Sequence, residues 1–531
     1  MQQFSIIIKA VLTILALSFA LALNAQEEDE WVKKMKEERG NDWGDYATFQ
    51  QQAIEEYKNF RQKANAEYAK FLAEPWKPFD ANPGEEIPWG TPKPTTPIIA
   101  EEYKEVDEPD AGVIQTPEIS PEPETVESLI LIPDRNESQK SIRLSFENVL
   151  ETPDAVSSPQ PIEPILPMPS SSQKAAQNLL LYGSVFPIHF EKERPLKLKS
   201  LSEKSIAKMW TQLADSYYDN IIADCLKQRE EHNLCDWAYI KLTGNVAESH
   251  CGIGTNEAVV MQLYLLTQSG FKMRIARAEK RLTLLFCSSE KIFRYKYFKI
   301  DGYRFYILDR SLEDMSMSIC DHPFPGEKPF SMALTQPKLS LDRTEKRTIA
   351  SKRYPDVRVT VETNKNLLDF YNDCPLSSQW NYYSKASLSN VLKESLYPVL
   401  SHAIEGKSEL DAVNILLNFV QTGFEYATDG QQFGYERPLY PDETFYYPYC
   451  DCEDRSILFS CLVRELVGLD VVLLNYPGHL AAAVHFNEEV KGDYLVVDDK
   501  TYVIADPTFI GAPVGRCAKE FRSATPIIVK I

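Results

Sequence analysis

Beyond residue 25, this 531-residue sequence has no apolar run near the roughly 20 residues that a membrane-spanning helix needs. No span is predicted once the N-terminal segment is removed. A basic face is lacking too: 57 Lys and Arg stand against 77 Asp and Glu, a formal charge of −20. That excludes nucleic acid and anionic lipid as partners, because phosphate contacts require clustered positive charge. There is no glycine-rich phosphate loop, no serine elbow, and no pair of carboxylates in a hydrolytic context.

What is present begins with residues 1–25, which read as a secretory signal peptide. Lys9 precedes an apolar run from Ala10 to Leu23, and Asn24-Ala25 stand before the polar Gln26-Glu27-Glu28-Asp29. No cysteine sits at that boundary to carry lipid, so the expected location is exported, periplasmic or extracellular. An oxidising compartment permits disulfides among the ten cysteines, although their spacing fixes no pairing.

Residues 26–80 form a helical N-terminal segment, in which Phe49, Tyr57, Phe60, Tyr68 and Phe71 recur at helical spacing. Residues 81–178 are a linker rich in Pro and Glu, a composition that buries too little apolar surface to fold alone. A short strand within "SIRLSFENV" is compatible with it.

The globular part holds two segments with the same order of elements. With Gly270 laid on Gly468, each copy reads as a helix ending at that glycine, then two apolar strands about a polar turn. A further pair of strands follows, ending in Asp309 or Asp506. The copies are assigned to 179–335 and, with a connecting segment, to 336–531. The second alone carries an insertion from about Asp429 to Asp451, dense in Tyr, Phe and Pro and placed to serve as a substrate wall.

That insertion runs into "YPYCDCEDRSILFSCLVRELVG". Asp451 fits an N-cap and Asp454 the third helical position of a capping box, with Ile457, Leu458, Cys461, Leu462 and Leu466 on one face. Cys452 then lies in the first turn, where unpaired amides and the helix dipole favour thiolate. A thiolate nucleophile needs a base and a group to orient it. His479, opening the strand "LAAAV", and Asp506, ending "TYVIA", supply them. For the two to meet, strand 480–486 must pair antiparallel with 501–505, pushing 494–497 to the outer side. Zinc held by Cys450, Cys452, His479 and His485 is disfavoured, since six residues of strand set the histidines roughly 20 Å apart. Cys461 reads as core, and Tyr447, Tyr449, Gln431 and Gln432 as candidates for oxyanion or substrate contact.

Cys452 with Asp454 two positions on, His479 opening a strand, and Asp506 within "ADPT" together resemble the transglutaminase-like superfamily of papain-like cysteine enzymes. The resemblance spans about Leu367 to Ile531. It departs from the family where alanines follow the histidine and where Asp451 replaces the usual glycine before the cysteine. In the first copy Gly254 stands at the place of Cys452 and Arg281 at that of His479; only Asp309 survives, which marks a degenerate copy.

The resemblance implies an α+β fold of tandem transglutaminase-like domains, each a helix packed on an antiparallel sheet. It implies an exported cysteine enzyme that acts on amide or peptide bonds of a protein or peptide substrate through a Cys452-His479-Asp506 triad and a thioester. Peptidase or amidase chemistry is expected ahead of cross-linking, with no cofactor and no metal. The competing expectation is a non-catalytic envelope binding or scaffold protein, engaging a partner through the N-terminal helices or the degenerate domain.

Overall fold

The structure, a computed structural model, describes residues 58–87, 96–100, 141–150, 158–161, 165, 176–190, 196–215, 218–377 and 380–531. The expected signal segment, Phe49 and Tyr57 lie outside them. The chain divides into two compact units, Met1–Asn65 and Ala66–Ile531. In the second unit, Tyr68 is buried against Trp210 with ring centroids 4.7 Å apart, and Phe71 stacks on His322 at 4.2 Å. Of the periodic aromatic set, Tyr68 thus faces a core and Phe71 is half-buried, whereas Phe60 is exposed. Among the described residues, no helix is long and apolar enough to cross a membrane.

The fold is mixed α+β. Three short strands come early: β1 (Lys77–Phe79), β2 (Ile98–Ile99) and β3 (Val149–Leu150). The first repeat comprises helix α1 (Asn256–Gln268) and strands β4 (Met273–Ala278), β5 (Arg281–Cys287), β6 (Tyr297–Ile300), β7 (Tyr303–Ile307) and β8 (Met317–Cys320). The second has helices α2 (Glu409–Gly423), α3 (Pro441–Tyr446) and α4 (Cys452–Leu466). Its strands are β9 (Val471–Tyr476), β10 (His479–Val484), β11 (Tyr494–Val497), β12 (Lys500–Ala505), β13 (Phe509–Ile510) and β14 (Ile527–Lys530).

The two large sheets repeat one topology. Strand order is β6-β7-β5-β4-β8-β1 in the first and β11-β12-β10-β9-β14-β3 in the second. Within each, the five strands of the repeat pair antiparallel throughout. The sixth strand differs: β1 joins antiparallel and β3 joins parallel. An alignment resting on few identities is therefore matched strand for strand, with Arg281 opening β5 where His479 opens β10. The expected pairing also holds, since Ala482 faces Ala505 and Val484 faces Val503 in antiparallel register, while β11 is the outer strand.

Pieces of the Pro-rich region are docked. β2 pairs with β13 and β3 with β14, both parallel, and the Pro159 carbonyl accepts a hydrogen bond from Arg229 Nη1 at 2.9 Å. This differs from a plain spacer, and the reason is that sheet edges supply the hydrogen-bond partners that such a composition cannot supply for itself. The strand compatible with "SIRLSFENV" is found at its end, as β3.

The aligned glycines both sit in left-handed conformation after their helices, Gly270 at φ +90° and Gly468 at +76°. A Cβ on Gly468 meets nothing within 4 Å, whereas one on Gly270 would lie 2.0 Å from the Gln160 backbone oxygen. Gly468→Ala should therefore cost only the conformational ~1–2 kcal/mol, and Gly270→Ala about 3 kcal/mol or more because the docked segment must also move. Urea denaturation of both variants tests this; equal losses would mean that residues 158–161 do not hold their place against Gly270.

The second sheet is buried on both faces. Leu480, Ala482, Val484 and Ala505 share a core with Cys452, Leu458, Cys461 and Leu462 of α4. Leu474, Ala481, Ala483 and Ile504 form a separate core with Leu144 and Cys517 on the other side. Alanines at 481–483 let elements approach closely from both directions.

Candidate active site

Helix α4 begins as its sequence dictates. Asp451 is the N-cap in extended conformation, its side chain accepts from the Asp454 amide, and its own amide donates to Asp454 Oδ2 at 3.2 Å. Cys452 is the first helical residue and has no exposed surface. Its sulfur lies 3.2 Å from Glu453 Oε2 as a hydrogen-bond donor.

The insertion is fastened over this helix start. The Asp429 amide donates to Asp451 Oδ2 at 3.4 Å, the Arg437 amide to Asp429 Oδ2 at 2.7 Å, and the Leu439 amide to Asp454 Oδ1 at 2.8 Å. These backbone donors explain why so many carboxylates gather at one place.

The residues expected as base and orienting group meet. His479 Nε2 lies 2.8 Å from Asp506 Oδ2, with His479 2% and Asp506 4% exposed. The two-residue turn Pro477-Gly478, with Gly478 at φ +73°, sets His479 opposite Tyr476. The imidazole stacks on Phe521 at 4.5 Å and 8°. Asp506 Oδ1 accepts from the Thr508 and Phe509 amides at 2.8 and 3.2 Å, which leaves Oδ2 for the histidine. A proton on Nε2 then makes Nδ1 the acceptor nitrogen.

The first repeat carries the counterpart of this pair: Arg281 Nη2 donates to Asp309 Oδ2 at 2.6 Å, and Asp309 Oδ1 accepts from the Ser311 amide at 3.0 Å. One strand-end arrangement thus holds a His–Asp pair in one copy and an Arg–Asp pair in the other.

Three side chains that the sequence does not single out tie this region together. Ser456, one turn beyond Cys452, donates to the Leu480 carbonyl at 2.8 Å, beyond the last β10–β12 pair and next to His479. Arg455, 1% exposed, donates to the Gln421 and Phe424 carbonyls at 3.0 and 2.8 Å. Gln421 Nε2 in turn donates to the carbonyls of Asp506, Phe509 and Ala512 at 3.1, 2.8 and 3.0 Å. The start of α4, the end of α2 and the Asp506 loop are thereby one connected unit.

The remaining candidates are engaged elsewhere. The Gln432 amide bonds both backbone groups of Tyr449, at 3.1 Å each. Gln431 closes the capping box of its own short helix with Thr428. Gln431, Gln432 and Tyr449 line an open cavity of about 420 Å³. The Tyr447 hydroxyl donates to Asn372 Oδ1 at 3.0 Å. His485 Nδ1 meets the Thr501 carbonyl at 2.9 Å, on the hairpin side. The ten cysteines, all among the described residues, form no disulfide, and burial pushes the Cys450 and Cys461 thiols up to about 12.

Two overlapping groups could share a cation: Asp451, Cys452 and Glu453, and Asp429, Glu436, Asp451 and Glu453, each with ligand atoms within 4.8 Å of one another. Carboxylates this close repel a thiolate at Cys452, which the helix N-terminus favours.

In the same insertion, burial raises the Asp442 carboxyl to about 6, while its Oδ2 accepts from the Ser389 amide at 2.9 Å. With an unfolded value near 3.9, the native state is the one that retains this proton. The stability it contributes is complete below pH ~4 and is lost as pH rises through ~6, a change of about 3 kcal/mol. Asp442→Asn should remove that decline from urea unfolding curves recorded between pH 4 and 7; an unchanged decline would assign it to other groups.

No protein-family model matches this sequence, and neither curated proteins nor solved structures give a match.

Proposed function

We propose that the chain is an exported cysteine enzyme of transglutaminase-like type that cleaves amide or peptide bonds, with Cys452 as nucleophile, His479 as base and Asp506 as its orienting partner. The observation that carries this reading is the buried His479–Asp506 pair, which stands beside the strand residue to which the first turns of the Cys452 helix are bonded.

In the first half-reaction the Cys452 thiol proton passes to His479 Nδ1 and the sulfur attacks the carbonyl carbon. The tetrahedral oxyanion is held by amides at the helix start, including that of Cys452. Collapse breaks the C–N bond, His479 returns its proton to the leaving amine, and a thioester remains. Water then adds with its proton taken by His479, the C–S bond breaks, and the acid leaves as Cys452 recovers its proton. Asp506 holds the ring and stabilises the imidazolium in both halves. Since Cys452 has no exposed surface, substrate access requires the overlying insertion to move.

A second reading is an envelope scaffold in which the site is vestigial; the burial of Cys452 and the carboxylates around its sulfur favour it. Cys452→Ala separates the two. The enzyme reading expects a screen of peptide amides to find turnover that the variant loses by at least a thousandfold, with its unfolding midpoint unchanged. Wild-type protein without amide turnover, or a variant that retains it, would sink the reading.

A further inference from the structure

The degenerate repeat contributes to a cavity of about 230 Å³ that it shares with the insertion of the second copy. Three guanidinium groups line it, Arg294 and Arg310 from the first repeat and Arg437 from the insertion, against two carboxylates, Asp373 and Glu443. The rest of the wall is largely aromatic. In a chain of net charge −20, this is a pocket whose lining guanidinium groups outnumber its lining carboxylates by one, with Asp373 also paired to Lys241 and Arg310 to Glu313.

The arginines are held in place with part of their hydrogen-bonding capacity to spare. Arg437 is 6% exposed and spends Nη2 on Asn372 Oδ1 at 2.8 Å and Glu443 Oε1 at 2.5 Å, while its buried Nη1 has no hydrogen-bond partner among the described residues. An unmet guanidinium donor in a buried setting is costly enough to ask what meets it. Arg294 lies over the Tyr435 ring at 3.9 Å, its nearest carboxylate contact a loose 3.6 Å to Glu86, and it holds φ +63°, a strained conformation for a long side chain. Arg310 bonds the Glu313 carboxylate through Nε at 3.1 Å and the Arg294 carbonyl through Nη2 at 2.9 Å. It directly follows Asp309, so the strand end that delivers Asp506 to the triad in one copy delivers an arginine to this cavity in the other.

We infer that the cavity binds a carboxylate group, presented on a small or aromatic body. Planar carboxylates match the fork of a guanidinium. Among the described residues of the lining, the one unmet buried guanidinium nitrogen, on Arg437, suits a monoanion better than a phosphate dianion, and the volume admits a side chain or chain terminus rather than a whole extended ligand. The binding claim stands on the cavity alone; that the carboxylate belongs to the amide substrate, bound next to the insertion covering Cys452, rests on the function proposed above.

Isothermal titration calorimetry of the full-length chain with benzoate, with its neutral isostere benzamide, and with inorganic phosphate tests this. Benzoate should bind at least tenfold more tightly than benzamide and should not be displaced by equimolar phosphate. Arg310→Gln and Arg294→Gln, at partly exposed side chains, should each weaken benzoate at least tenfold while leaving the unfolding midpoint in place; Arg437 is avoided because its removal endangers the fold. Equal affinity for benzoate and benzamide, displacement by phosphate, or undiminished binding in both variants would overturn the inference. The readout is binding rather than turnover, so failure of the proposed enzyme activity leaves this result unaffected.

Discussion

In His479→Ala, alkylation of Cys452 by iodoacetamide at pH 6 is expected to slow by about a hundredfold, the lower end of what a positioned base contributes. The reasoning is electrostatic. A thiolate at the first turn of α4 has the helix N-terminus in its favour and Glu453, whose Oε2 is 3.2 Å from the sulfur, against it. On the proposed reading His479, held by Asp506 at 2.8 Å, supplies the positive charge that decides the balance. Asp506→Asn should slow labelling less than His479→Ala does. Cys450 and Cys461, both raised to about 12 by burial, are internal standards in the same peptide map and should label slowly in every variant. If Cys452 labels no faster than these two in the wild type, the triad is not assembled in solution.

Arg455→Met is expected to destabilise the protein by about 3–5 kcal/mol, read from urea denaturation, more than the loss of the Cys452, His479 or Asp506 side chain. Arg455 Nη1 and Nη2 donate to the carbonyls of Gln421 and Phe424, which close the C-terminal end of α2. Helix-end carbonyls have no partner within their own helix, so a buried cation there satisfies both hydrogen bonding and the dipole. Methionine fills much of the volume and none of the donors, leaving buried acceptors unmet. Arg455→Lys should recover only part of the loss, because an ammonium cannot span two carbonyls as the planar fork does. A loss below ~1 kcal/mol for Arg455→Met would mean that water replaces the guanidinium.

The elements that periodicity and capping control were legible. Asp451 and Asp454 form the capping box assigned to them, Cys461 is core, and the pairing of β10 with β12 follows from the requirement that His479 meet Asp506. The repeat was legible as well, because a glycine in left-handed conformation after a helix is a backbone requirement that survives when side chains diverge. Other features were hidden for physical reasons. Arg455 and Gln421 read as ordinary polar positions on helices; their burial depends on which carbonyls a distant segment presents. Phe521, stacked on the imidazole, follows Asp506 across a stretch of short strand, loop and 3-10 turn that has no sustained period. The docking of the Pro-rich region escaped composition because composition measures what a segment can bury by itself, not what edge it is offered.

Those docked strands have a consequence for when the molecule can be complete. Ile98 pairs with Phe509 and Val149 with Ile528, partners about 400 residues apart in the chain. Closing loops of that length comes late in folding, after contacts nearer in sequence have formed. The first repeat can assemble its own five strands as soon as they are synthesised, but the second sheet keeps an open edge at β9 until β14 is in place. Completion of that sheet is thereby tied to the arrival of residues 527–530, and a chain truncated before them loses the partner that holds Val149 and Leu150.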